Sequence, residues 1–365
     1  MKCYVCEKEL TRENETDEHI LINAIGGRLK SKRLICRDCN SNFGSKIDNS
    51  LAEQLNPIAN LLNIKRQRGE PRSIKVKSNN RDILLAPGGK LSLMYPEVSQ
   101  EGDLVHIEAT SKSQLRQALT GLKRKYENIN IEQEISMAQV IKSYLPSITV
   151  NMRFGGEETL RALCKMGVNY YLYKGGDIDR VKHLLPYIQG DEHEAEIYFM
   201  YPKTELFFKG EEELMHTLIL VGDPKHKKLY VYIELFNEFK VVVFIDQKYE
   251  GNELYESYHY NVLTNELIEF EEKVNIPQQQ IKRYKSKSLN EKRFGERMKY
   301  LFQRIDNLVV NKRISEIVNS GIEAMLEKFP EAKEENTIFT EEMADFLSHK
   351  IGTDFVLTFQ HRLVK

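Results

Sequence analysis

The stretch CYVCEKELTRENETDEHILINAIGGRLKSKRLICRDCNSNFGSKIDNSL (3–51) decides how the chain folds at its start. Two Cys-x-x-Cys pairs, Cys3 with Cys6 and Cys36 with Cys39, enclose an acidic run that ends in His19. Each pair puts two sulfurs on one tight turn, and two such turns facing each other complete a tetrahedral thiolate cage for zinc. Fifty polar residues bury too little apolar surface to fold securely without such a staple. A thioredoxin-like redox role would need one pair beside a βαβ pattern, which is absent.

The rest of the composition sets the context. The 365 residues are 41% hydrophobic and 29% charged, with a formal net charge of -1, enough chain for two or three domains with cores of their own. No run of eighteen apolar residues marks a membrane span. The opening Met-Lys-Cys-Tyr carries no apolar signal-peptide core, so a cytoplasmic location is expected. In a reducing compartment, paired cysteines are more often metal ligands than disulfides. The fifth, Cys164, stands at helical spacing with Leu160 and Leu163 and reads as a small buried apolar residue.

Between the cysteine pairs come Asp17, Glu18 and His19, then Gly26-Gly27, whose natural place is a turn needing positive φ. Directly after Cys39 stands Asn40, and a helical pattern follows with Asp48 and Asn49. This order resembles the HNH nucleases, the ββα-metal fold, and in its spacing the endonuclease VII-like phage resolvases. In that family an acid-His pair on the first strand precedes a hairpin loop, a Cys-x-x-Cys-Asn knuckle and a third motif residue on the helix. The matching positions here are His19, Asn40 and Asn49, and the resemblance covers residues 3–52.

The resemblance implies a metal-dependent DNA endonuclease with His19 as general base, suited to it by a near-neutral ordinary pKa. It also implies one Mg²⁺ or Mn²⁺ ion held by Glu18 and an oxygen from the helix, either Asp48 or Asn49. Asp48 has a rival explanation, because Ser45-Lys46-Ile47-Asp48 fits a capping box. Asn40 is either a ligand or a brace for the hairpin backbone. Strand neighbours point to opposite faces, so Glu18 and His19 share one phosphate only if the strand is strongly bent. DNA is the expected partner, with RNA left open, and a double-strand break needs a homodimer or two successive nicks. Restriction, mobile-element or antiviral defence is the setting where such modules usually occur. The rival reading is a non-catalytic zinc knuckle that binds nucleic acid or acts as an adaptor.

The pattern along the chain gives an α+β protein in four parts. On the resemblance, residues 1–60 are expected to form an HNH domain with a structural zinc, and 61–81 reads as a basic linker. Residues 82–275 form a mixed α+β domain with a mostly antiparallel sheet, serving specificity, sensing or dimerisation, and 276–365 a charged helical region. Within 1–60, Pro57 is expected to kink or end the helix. Helical periodicity marks 111–129 and 156–173, while 214–245 reads as three strands with a Gly-Asp-Pro turn. The segments 194–201 and 204–210 read as neighbouring strands. Two basic stretches are candidates for phosphate contact: Lys65, Arg66, Arg68 and Arg72 in the first, Lys282, Arg283, Lys285 and Lys287 in the second.

Overall fold

A computed structural model describes the whole chain except residues 79–80, 142–147, 151, 192, 211–212, 271–272, 275, 335–336 and 364–365, with 361–363 described in backbone only. It divides into two compact units, Met1–Val140 with Pro146–Met298, and Ile141–Leu145 with Lys299–Lys365. No described helix is long and apolar enough to cross a membrane.

The first unit begins with a short antiparallel pair, β1 (Glu18–His19) and β2 (Lys30–Ser31), followed by helices α1 (Arg37–Ser45) and α2 (Ile47–Leu61). This is the expected ββα order. Helix α2 continues through Pro57 instead of ending there. Leu51, Leu55, Ile58 and Ala59 are all buried, and Asn60 donates to the carbonyls of Arg72 and Leu85. Packing on both sides of the proline outweighs its one missing hydrogen bond.

The basic stretch that follows is more than a tether, since Ile74–Ser78 form β3 of a three-stranded sheet with β4 (Arg81–Ala86) and β5 (Lys90–Leu93). A hairpin, β6 (Glu97–Glu101) and β7 (Leu104–Glu108), and helices α3 (Lys112–Lys123) and α4 (Ile131–Met137) come next.

Helix α5 (Glu157–Tyr173) is the pivot of the unit. One side lies on a seven-stranded antiparallel sheet, and the other meets α2. After short α6 (Leu185–Gln189) the sheet strands are β8 (Ile197–Met200), β9 (Met215–Asp223), β10 (Lys228–Leu235), β11 (Phe239–Asp246), β12 (Leu254–Asn261) and β13 (Glu266–Leu267). Helix α7 (Gln278–Tyr284) leads into the last strand, β14 (Lys285–Ser286), and the spatial order is β13-β12-β9-β10-β11-β8-β14. Runs of Val, Ile, Tyr and Phe fill β9 to β11, which are buried almost throughout, so the three strands expected over 214–245 form the sheet centre. Gly167 lets α5 approach closely, because a Cβ there would lie 3.1 Å from Val243. The segment 204–210 is not a strand; Phe208 is exposed, and Glu205 and Lys209 join ion pairs with Glu234 and Lys240.

The sheet does not stop at 275, since β14 pairs with β8. Helix α8 (Glu291–Lys328) begins in the first unit and enters the second. In the second unit, Met325 of α8 and Phe329, just past its end, pack with Met343 of α9 (Glu341–Leu363).

Candidate active site

The four paired cysteines come together at the base of the ββα element. Their sulfur atoms all lie within 4.8 Å of one another, the one such group of metal-ligating side chains among the described residues. Cys6 Sγ and Cys36 Sγ are 3.7 Å apart. A tetrahedral ZnS₄ centre with bonds of about 2.3 Å has sulfur-sulfur edges of about 3.8 Å, so the cage fits zinc. Burial pushes the Cys36 thiol up, but the Cys39 backbone N–H and the neighbouring thiols outweigh it and hold its pKa below the ordinary value. The neighbouring Cys6 and Cys39 thiols move the other way, pushed up chiefly by burial. Cys164 is fully buried in α5, its thiol pushed up to about 12 by burial, as suits an inert core residue.

The hairpin between β1 and β2 is shaped by its glycines. Gly26 has φ +89°, the positive value expected of the turn, and a Cβ on Gly27 would lie 2.1 Å from the Leu21 carbonyl oxygen. Asn40, in the first turn of α1, donates its amide to Thr16 Oγ1 at 2.9 Å, with the Asp17 carbonyl at 3.5 Å. It therefore braces the chain entering β1.

Glu18 and His19 diverge as strand neighbours do. Glu18 turns inward and is 1% exposed; its Oε1 accepts from Lys165 Nζ at 2.7 Å and from Asn169 Nδ2 at 2.7 Å. Lys165 Nζ also donates to Asp48 Oδ2 at 2.7 Å. Lys165 and Asn169 are one turn apart on α5, so a single helix face grips the acidic residues of β1 and α2. The far side of Asn169 accepts from Tyr4 Oη at 2.7 Å. Burial raises the Glu18 carboxyl pKa despite Lys165; burial also pulls on Lys165, but Asp48 and Glu18 together outweigh it and keep the ammonium protonated. The capping box at Ser45 does not form: Ser45 Oγ donates to the Asn42 carbonyl, and the N-cap of α2 is Lys46, which makes no side-chain cap hydrogen bond.

His19 is half-buried, with Nε2 3.1 Å from Gln67 Oε1. Burial lowers its pKa, against the opposing pull of Gln67. It opens onto a cleft of about 570 Å³ whose walls include Glu18, Asn40, Asp48 and Asn49, and whose rim carries Arg66, Arg72 and Lys75. Asn49 donates to Glu53 at 2.9 Å. The first basic stretch thus reaches the cleft through Arg66 and Arg72. Arg68 lines an adjoining groove with Asp17 and Lys30, and Lys65 is exposed, its carbonyl accepting from Arg28. The second stretch lies elsewhere. Arg283 and Lys285 border a separate concavity beside β8, Lys285 Nζ lies 4.2 Å from the Tyr198 ring centre, Lys287 donates to the Ala195 carbonyl, and Lys282 is exposed. Sequence reading missed Lys165, Asn169, Gln67 and Lys75. Only Lys75, inside the basic stretch, left a signal there.

The divalent ion expected at Glu18 and Asp48 meets a geometric obstacle. The ammonium of Lys165 already sits between the two carboxylates. A divalent cation about 4 Å from that ammonium would be repelled by about 8 kcal/mol at an effective dielectric of about 20. Asp48 Oδ1 is buried without a hydrogen-bond partner. The pair fits a lysine, and does not fit a divalent ion while the lysine is there.

No curated protein and no solved structure matches the chain. The segment that builds the sulfur cage, the glycine hairpin and the His19 cleft does have a counterpart: residues 3–56 match the family model of the HNH endonucleases.

Proposed function

We propose that the protein hydrolyses phosphodiester bonds of DNA in the cleft beside His19. The observation that carries this reading is a half-buried imidazole of lowered pKa on the wall of a cleft rimmed by Arg66, Arg72 and Lys75, inside the HNH segment. A neutral imidazole at pH 7 can take a proton from an attacking water. With Gln67 Oε1 accepting, Nε2 carries the proton and Nδ1 holds the lone pair for that task. The rim cations bind the phosphates on either side of the scissile bond and stabilise charge developing on it. Zinc in the cysteine cage holds the hairpin against α1. The companion α+β body and the helical region serve targeting, sensing or dimerisation in a defence or mobile-element setting. The reduced thiols of the cage suit the cytoplasm.

The test is plasmid cleavage by wild type and His19→Ala. Loss of about 10²- to 10⁴-fold in rate is expected, and equal cleavage by both removes His19 from the role. One observation favours the non-catalytic alternative, a nucleic-acid binder: Lys165 fills the carboxylate pair that a metal-dependent nuclease would use. DNA affinity without cleavage by wild type in any metal would decide for it.

A further inference from the structure

We propose that Lys165, set behind the cleft wall, is the resident cation of the Glu18–Asp48 pair, taking the place of a divalent ion between them. The inference rests on reading the cleft as a nuclease site, though its test does not need cleavage.

The geometry is that of a filled site. Both carboxylates reach the ammonium at 2.7 Å, and the lysine side chain is 3% exposed. Its Nζ lies 5.4 Å from the centre of the Phe43 ring, a further contact that favours a cation. The neighbours on α5 leave it little freedom. Asn169 is held from both sides by Tyr4 and Glu18, and Arg161 is held by Glu157 and the Asp191 carbonyl. Behind them, Gly167 seats the helix directly on Val243. A lysine waiting to be displaced would stand at the cleft wall on a mobile stem; this one is anchored from beneath.

Its origin also matters. The segment matching the nuclease family ends at 56, whereas Lys165 comes from a helix of the companion body. The two acids are supplied by the matched segment and their cation by another part of the chain. Lys165 does not line the cleft, so it acts as a positioning residue: it keeps both carboxylates neutralised and Asp48 turned in one direction.

The experiment is a Mn²⁺ titration of the full chain with its zinc in place, followed by electron paramagnetic resonance of free Mn²⁺, with zinc content measured throughout. Wild type is expected to show no Mn²⁺ site that depends on Glu18 or Asp48, so Glu18→Gln and Asp48→Asn leave its titration unchanged. Lys165→Ala is expected to gain a site binding at least about tenfold more tightly, and Glu18→Gln in that background to lose it. Wild-type Mn²⁺ binding that disappears in Glu18→Gln or Asp48→Asn overturns the proposal. So does a folded Lys165→Ala protein with no gain. If Lys165→Ala does not fold, the wild-type, Glu18→Gln and Asp48→Asn titrations decide alone. A failure to cleave DNA counts against the nuclease reading and leaves the Mn²⁺ result standing.

Discussion

His216 joins the centre of the large sheet to the HNH hairpin: its Nε2 donates to the Ile25 carbonyl at 2.8 Å, while its Nδ1 accepts from the Phe236 N–H at 3.2 Å. The imidazole is fully buried, and burial lowers its pKa to about 4. A second proton would have to enter at Nδ1, against the Phe236 N–H. In the unfolded chain the same group titrates near its ordinary value. Between the two values only the unfolded state takes up the proton, so stability is complete above the unfolded value and declines as pH falls toward the folded one. This residue should cost about 2 kcal/mol of stability between pH 7 and pH 5. Urea unfolding at both pH values measures the slope, and His216→Gln should flatten it.

Removing zinc should release the hairpin. The cage joins the first turn of the chain to the start of α1, with Cys36 directly before that helix. The protein should carry one zinc per chain by elemental analysis. Cys36→Ser should lower zinc retention by about 10-fold or more, because the site loses one of four thiolates. Circular dichroism should show lost helical signal, and DNA binding should weaken with it.

Gly27 tolerates no side chain. Gly27→Ala should destabilise the first unit by about 3 kcal/mol or more, since the added methyl would meet the Leu21 carbonyl. Gly295 in α8 offers the contrast, with nothing within 4 Å of its Cβ position. Gly295→Ala should stabilise by about 0.5–1 kcal/mol. Thermal denaturation of the two variants shows the opposite signs.

The two basic stretches should separate in salt titrations of DNA binding. Replacing Arg72 and Lys75 by Ala removes two rim charges from the cleft. It should lower the slope of log K against log salt by about 2. Replacing Lys282 and Arg283, away from the His19 cleft, should leave the slope within about half a unit.

Local patterns carried much of this architecture into the sequence. Cys-x-x-Cys turns, an acid-His pair, Gly-Gly and a helical repeat each span a few residues, so the ββα order was readable. The β-branched and aromatic runs of 214–245 announced three strands for the same reason. What stayed hidden depends on distance along the chain. Lys165 meets acids 147 and 117 positions away, and nothing in LRALCKMG distinguishes its ammonium from one on a solvated face. Asp48 misled locally, because Ser45 and Asp48 have capping-box spacing while the ion pair with α5 determines where the carboxylate goes. Pro57 and 204–210 show the same priority of tertiary packing over local propensity.

The grip of α5 on Glu18, Asp48 and Tyr4 has an evolutionary and practical consequence. The matched segment is not expected to act as a portable cassette. Transplanted alone, it would leave a carboxylate fitted for the interior facing water and a tyrosine without its amide. Homologous chains that keep Glu18 and Asp48 in this arrangement are therefore expected to inherit Lys165 and Asn169 with them, as one co-varying set spread over two parts of the fold.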